Sequence, residues 1–371
     1  MSYSLVTLWH ERQRYVPGVL AVGFSALLIA LQCGLLLGLF SITSIPVDHT
    51  RADIWVGAPQ VLSVDLGRPV PESYLSRLAA QPEVEAPEIY LQGFAYWSKP
   101  NGATELCIVI GARLDDQALG CVDELTPELR SLITEPGAII LDESELGRLG
   151  MKGIGDVAEI SGQRVRLVGL VHGLKSLAGP YVFCSLGTAR PLLHLLPDQT
   201  TYLLARCRNP AEAPAVVERL RAYPNMSAFT SEDFSFRTRM HWLTMTKAGI
   251  ALGCAAALGL LVGAVVTSQT LYAATAASLR EFAVLQALGI PRWRMALTVL
   301  AQAFWVGLTG IALAVPVVFG LRELADHVGA KILLPGWLLA IAIGVTMTMA
   351  LVSGLAALRS LRLVEPATLL R

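Results

Sequence analysis

Four long apolar runs punctuate the chain, at residues 18–40, 248–267, 295–319 and 337–358. Residues 46–242, between the first two, alternate short apolar and polar stretches. A helix crossing ~30 Å of hydrocarbon needs about 20 apolar residues, because lipid offers no partner to an open backbone. Each run meets that length without an Asp, Glu, Lys or Arg. The pattern predicts a membrane α-helical protein with four transmembrane helices, one plus three, and a large domain inserted between the first and second. The first run follows Arg12 and Arg14, so a cleaved signal peptide is the alternative. Its apolar part exceeds the roughly 7–15 residues of a signal-peptide core, and residues 41–46 offer no small-x-small cleavage site, so a retained anchor is expected.

Basic residues in short flanks set orientation. Arg12 and Arg14 precede the first run, Arg280, Arg292 and Arg294 lie between the second and third, and Arg359, Arg362 and Arg371 follow the fourth. Those segments are expected in the cytoplasm. Residues 321–335 mix Arg322 and Lys331 with Glu323 and Asp326, which suits the outer side. Both termini are then cytoplasmic, and residues 46–242 are periplasmic in a multi-pass inner (plasma) membrane protein.

The insertion is too long for a loop and must fold as a domain. Strands are predicted over 51–56, 88–97, 105–110, 137–141, 156–160, 164–171, 181–184 and 201–205, and helices over 72–78, 143–149 and 214–221. Lys99-Pro100-Asn101-Gly102 turns one hairpin and Ser161-Gly162-Gln163 another. The result is an α+β module. Its aromatic residues Tyr90, Phe94, Tyr96 and Trp97 are expected to pack in the core.

Composition sharpens this picture by exclusion. Hydrophobic residues make up 54% and charged residues 16%, with a net charge of zero. That leaves no basic surplus for phosphates, so nucleic acid is excluded as a partner. The six cysteines show no metal spacing; in an oxidising compartment Cys107 and Cys121 are one possible disulfide pair, buried free thiols the alternative. His172 and His194 stand alone. No G-x-S-x-G, H-E-x-x-H, G-x-G-x-x-G or G-x-x-x-x-G-K-[ST] occurs, so neither catalysis nor nucleotide binding is expected of these residues, and no cofactor. The spans lack the buried ionisable groups of an ion-driven carrier.

Small residues four apart permit close helix contact: Gly34 with Gly38, Gly249 with Gly253, and Gly259 with Gly263. Packing within one chain and a dimer seam are equally open. Gln32, Gln269 and Gln302 are expected to hydrogen-bond between helices. Beyond the second span, Ser278-Leu279-Arg280-Glu281 continues as a polar helix into the amphipathic residues 282–288. Gly289 and Pro291 stop it. Its apolar side suits the lipid interface or a groove on a cytoplasmic partner.

Arg280-Glu281-Phe282-Ala283-Val284-Leu285-Gln286-Ala287-Leu288-Gly289-Ile290 resembles the R-E-[FI]-x-[VL]-L-[RQ]-A-[LI]-G signature of MacB/FtsX-type ABC permeases. Gly155-Asp156-Val157-Ala158-Glu159-Ile160-Ser161-Gly162-Gln163 with Leu167-Val168-Gly169-Leu170-Val171 is similar to a strand pair of that family's periplasmic core. Val364-Glu365-Pro366-Ala367-Thr368-Leu369-Leu370-Arg371 is similar to its closing D-P-A-x-x-L-R. The resemblance implies three parts: residues 1–45 as N-terminal segment and first span, 46–242 as a MacB-like periplasmic domain, and 243–371 as an FtsX-like permease domain. It implies a non-catalytic subunit that pairs with a second permease copy, identical or paralogous. A separate cytoplasmic ABC ATPase docks on Arg280, Glu281, Phe282, Leu285, Leu288 and Gly289. The periplasmic domain then moves with the nucleotide cycle to export or extract a hydrophobic or amphipathic substrate, with an HlyD/MacA-like adaptor and an outer-membrane channel as further partners. The chain departs from MacB in lacking a fused ATPase, as DevC and LolC do, and in a short segment 112–136. The alternative within the family is an FtsX-like transducer that regulates periplasmic cell-wall hydrolases without transporting.

Overall fold

The computed structural model describes residues 12–277, 291–328 and 332–361. The chain forms two units, Met1–Leu39 with Lys247–Arg371, and Phe40–Thr246. In the first unit lie the helices Arg12–Thr43 (whose end passes into the second), Lys247–Ala277, Arg292–Val328 and Gly336–Leu361. Each holds a window long and apolar enough to cross a membrane: Tyr15–Thr43, Lys247–Thr270, Ala296–Ala325 and Gly336–Leu355. The one-plus-three arrangement therefore stands. The helices overrun their apolar runs because backbone pairing continues into flanking polar residues.

Small residues set the helix crossings. A Cβ on Gly307 of the third apolar helix would lie 3.0 Å from Met347 Sδ of the fourth, and one on Gly354 would lie 2.9 Å from Ala303 Cβ. The first and third helices meet backbone to backbone, with a Cβ on Gly310 reaching 2.8 Å from the Val19 carbonyl oxygen. Lipid gives no hydrophobic reason for helices to associate, so such close approach is what holds them.

The inserted domain is a mixed sheet covered by short helices. Its strands are β1 (Ile54–Gly57), β2 (Val70–Pro71), β3 (Val84–Ser98), β4 (Thr104–Ala112), β5 (Ala138–Asp142), β6 (Val157–Ile160), β7 (Gln163–Val171), β8 (Tyr181–Ser185), β9 (Gln199–Thr200), β10 (Tyr202–Cys207) and β11 (Ser227–Thr230). Nine of them run in the order β11-β1-β10-β3-β4-β8-β5-β7-β6, while β2 and β9 form a separate ladder. β4 with β8 and β5 with β7 are parallel, and the other pairings are antiparallel. The long β3 pairs with β10 over its first half and with β4 over its second. β6 turns back onto its end, Trp97 opposite Ile160 and Ser98 opposite Glu159. Strands β3, β4, β8, β5, β7 and β6 thereby close on themselves and leave no edge among them.

The β6–β7 hairpin turns on Ser161 and Gly162, both at positive φ (48° and 79°), between the paired Ile160 and Gln163. That is the primed turn whose twist matches two antiparallel strands, and Gly162 suits it because it carries no Cβ. The predicted strands and hairpins are present. β2, β9, β11 and the helices Pro127–Leu132, Leu186–Leu192 and Ser231–Met245 were not expected.

Two cores result. Trp97, Cys107, Val109, Leu141, Val165 and Leu167 fill the closed strands. The second gathers around Trp55, whose ring lies 5.2 Å from Tyr90 and 5.6 Å from both Tyr202 and Phe234. Of the aromatic residues expected in the core, Tyr90 and Trp97 are buried. Phe94 and Tyr96 are instead exposed, because their strand positions point away from the cores. The cysteines are free. Cys107 donates to the Ala95 carbonyl and Cys121 to that of Arg113, and burial pushes these thiols up to about 12 and about 11.

Gly111 of β4 lies close under the helix Leu186–Leu192: a Cβ there would fall 2.3 Å from Ala189 Cβ. Gly111→Val should therefore destabilise the inserted domain by about 2–3 kcal/mol through overpacking. The check is a lower temperature for its unfolding transition in the detergent-solubilised chain.

Candidate functional site

The expected ATPase-docking residues Arg280, Glu281, Phe282, Leu285, Leu288 and Gly289 lie outside the described residues. The closing motif at 364–371 does too.

The glycine pairs fall into place separately. Gly259 and Gly263 face the first apolar helix, where a Cβ on each would lie 3.2 Å from Gln32 Cγ and Ser25 Cβ respectively. Ser25 Oγ is 2.9 Å from both the Gly263 carbonyl oxygen and the Thr267 hydroxyl. Gly259, Gly263 and Thr267 thus form one small-residue stripe packed within the chain. Gly34 carries a different contact: its carbonyl accepts from Leu333 N at 3.1 Å, and a Cβ there would meet Ile332 Cγ2 at 2.9 Å. Gly249 is buried, and Gly253 is half-buried. The second apolar helix presents Ile250, Leu258, Leu261 and Val265 outward, each 45–60% exposed.

In the inserted domain the chemistry gathers where the chain enters and leaves it. On the entry side, the short helix Ile45–Asp48 has Pro46 in its first turn, and Ser44 Oγ donates to Asp48 Oδ2 at 2.6 Å. On the exit side, Ser231–Met245 is capped by Thr230, whose hydroxyl accepts from Asp233 N, with Glu232 and Asp233 in the first turn. Arg239 of this exit helix pairs with Asp48 and donates to Ser44 Oγ at 2.8 Å. The two connections are thereby tied to each other.

The exit helix is also tied to the domain body along one stripe, Phe234, Thr238 and Trp242, spaced four apart. Phe234 is fully buried and stacks on Phe229 at 5.1 Å. Thr238 Oγ1 accepts from Val64 N at 3.1 Å. Trp242 Nε1 donates to Asp65 Oδ2 at 3.0 Å. Arg237 Nε adds a bond to the Val61 carbonyl at 3.0 Å. The hydrogen-bond partners of Thr238, Trp242 and Arg237 all lie in residues 61–65.

Asp65 is the unusual member. It is 5% exposed, and its second oxygen accepts from Gln92 Nε2 at 3.2 Å. Burial disfavours its charge and pushes the carboxyl up to about 6, partly opposed by the Trp242 N–H. Sequence reasoning missed this network. The cap Thr230-Ser231-Glu232-Asp233 was a legible helix start, whereas nothing local marks Asp65 for burial. Among the described residues no group of His, Cys, Asp or Glu is placed to hold a metal ion. His49 pairs with Glu124 at 2.5 Å, and the exposed His172 with Glu143 at 3.0 Å.

Fold and site define a membrane protein whose inserted domain is held by helices continuous in sequence with its first two spans. Residues 253–366 match the family model described as FtsX-like permease C-terminal. No curated protein matches the chain. Among solved structures, the periplasmic region of MacB from Actinobacillus actinomycetemcomitans is similar at 12% identity and a TM-score of 0.34, over 52% of this chain and 92% of that one. The extracellular domain of the noncanonic ABC-type transporter YknZ from Gram-positive bacteria is similar at 9% identity and a TM-score of 0.32, over 47% and 98%.

Proposed function

We propose that this chain is the membrane subunit of an ATP-driven ABC transporter, and that it conveys ATP hydrolysis on a separate cytoplasmic ATPase into movement of its periplasmic domain. The observation that carries the reading is the FtsX-like permease match over residues 253–366, which includes the segment 280–289. The tied connections of the inserted domain support it. With Arg239 holding Asp48, and Thr238 and Trp242 holding Val64 and Asp65, displacement of either connection loads the whole domain. The substrate is hydrophobic or amphipathic, a class that reaches such a domain from the membrane surface. The permease works as a pair, and the exposed face of the second apolar helix supplies apolar area for a second copy.

The test is reconstitution. The chain in nanodiscs should bind an ABC ATPase expressed with it and raise its ATP turnover, and efflux or extraction of an amphipathic substrate should depend on both. A chain that binds no ABC ATPase removes the reading. ATP-dependent activation of a cell-wall hydrolase without transport selects the transducer alternative.

A further inference from the structure

We propose that Asp65 is a proton-binding site that sets how firmly the exit helix Ser231–Met245 is held to the body of the inserted domain. The geometry is that of a carboxyl whose charge has no cation to answer it. The groups that face it are Tyr90 and Gln92 on β3, Tyr181 on β8, Tyr202 on β10 and Trp242 on the exit helix. None is basic, and among the described residues no cation contributes to the titration of Asp65. Burial raises the three phenols well above their usual range, so they stay neutral and Asp65 alone titrates. One acceptor favours a proton here. Gln92 Oε1 is buried without a hydrogen-bond partner among the described residues, on the amide that already touches Asp65. A protonated carboxyl can donate to that oxygen once the amide turns, while its carbonyl oxygen still accepts from Trp242; the ionised form can only accept.

The sign follows from burial. Releasing the exit helix exposes Asp65 to water, where its carboxyl titrates near 3.8; held, it titrates near 6. The held state therefore binds the proton more tightly. Its advantage is full below about 3.8 and is lost as the pH rises through about 6. The interval bounds the change in the release equilibrium at about a hundredfold. As a proton site the inference stands on this geometry alone; as a control on movement of the domain it rests on the function proposed above.

The test uses the full chain in nanodiscs, without an ATPase, so its failure and that of the transporter reading are separable. Infrared difference spectra between pH 4.5 and 8 should show a protonated-carboxyl band that titrates near pH 6 and is missing in Asp65→Asn. Hydrogen exchange of residues 231–245, corrected for the intrinsic effect of pH, should show up to a hundredfold more opening in the wild type above pH 6 than below 4. The neutral Asp65→Asn variant should stay closed throughout. A band retained in Asp65→Asn, or identical exchange profiles in the two proteins, overturns the proposal. Should Asp65→Asn fail to fold, Trp242→Phe removes the donor that favours the charged form and must move the band's midpoint upward; an unmoved midpoint overturns it equally.

Discussion

ATP turnover by the assembled complex should fall to that of the free ATPase when Phe282 and Leu285 are both replaced by aspartate. The sequence places Phe282, Leu285 and Leu288 three residues apart between the polar start Arg280-Glu281 and the stop at Gly289 and Pro291, so they share one face of the predicted helix. Seating that face in a groove buries apolar side chains worth about 1.5–3 kcal/mol each. Losing two and burying charge in their place removes on the order of 4 kcal/mol, about a thousandfold in affinity. Ala283→Asp, on the opposite face, should leave turnover near normal. Membrane insertion is the control, since none of these residues lies in a span. Normal stimulation by the Phe282→Asp, Leu285→Asp double variant would return this segment to the lipid interface.

Gly310→Val should leave little folded chain in detergent. The Cβ it adds would lie 2.8 Å from the Val19 carbonyl oxygen, 2.9 Å from Val22 Cβ and 3.0 Å from Gly23 N. Two of those three obstacles are backbone, which cannot rotate aside, so the first and third apolar helices must separate. Overpacking in a close-packed interior costs about 1–3 kcal/mol, and this site belongs at or above the top of that range. The approach is equally close from the other side, where a Cβ on Gly23 would lie 3.0 Å from the Gly310 carbonyl oxygen. Gly320→Val on the same helix, where a Cβ meets nothing within 4 Å, is the matched control. Size-exclusion profiles after a temperature ramp should show Gly310→Val aggregating well below the wild type and Gly320→Val close to it. Equal profiles would mean that the two helices do not cross at these glycines.

The spans and hairpins were legible because their causes are local. A run without charge, a period-two alternation and a Ser161-Gly162 turn each act over a few residues. What escaped reading is what separates residues far along the chain. The pairing of β1 with β10 and β11 joins positions that no periodicity links. Closure of β6 onto β3 depends on the accumulated twist of six strands. Gly310 sits in no four-residue spacing with another glycine, since its importance lies in Val19 and Gly23 on a helix elsewhere in the sequence. Gly259 and Gly263 were legible as a pair, but the partner Ser25 was not. Asp65 follows Val64 in a stretch that reads as an ordinary loop, and only Trp242, far downstream, makes it a buried carboxyl.

One strand belongs to both halves of the inserted domain. β3 pairs with β10 at one end and with β4 and β6 at the other. At about 3.3 Å per residue its fifteen residues form a beam of roughly 50 Å. A tilt of about 5° at one end becomes a sweep of roughly 4 Å at the other, by the length of that beam. The two halves of the domain thus share one continuous backbone, and neither can part from the other without breaking ladder hydrogen bonds to β3.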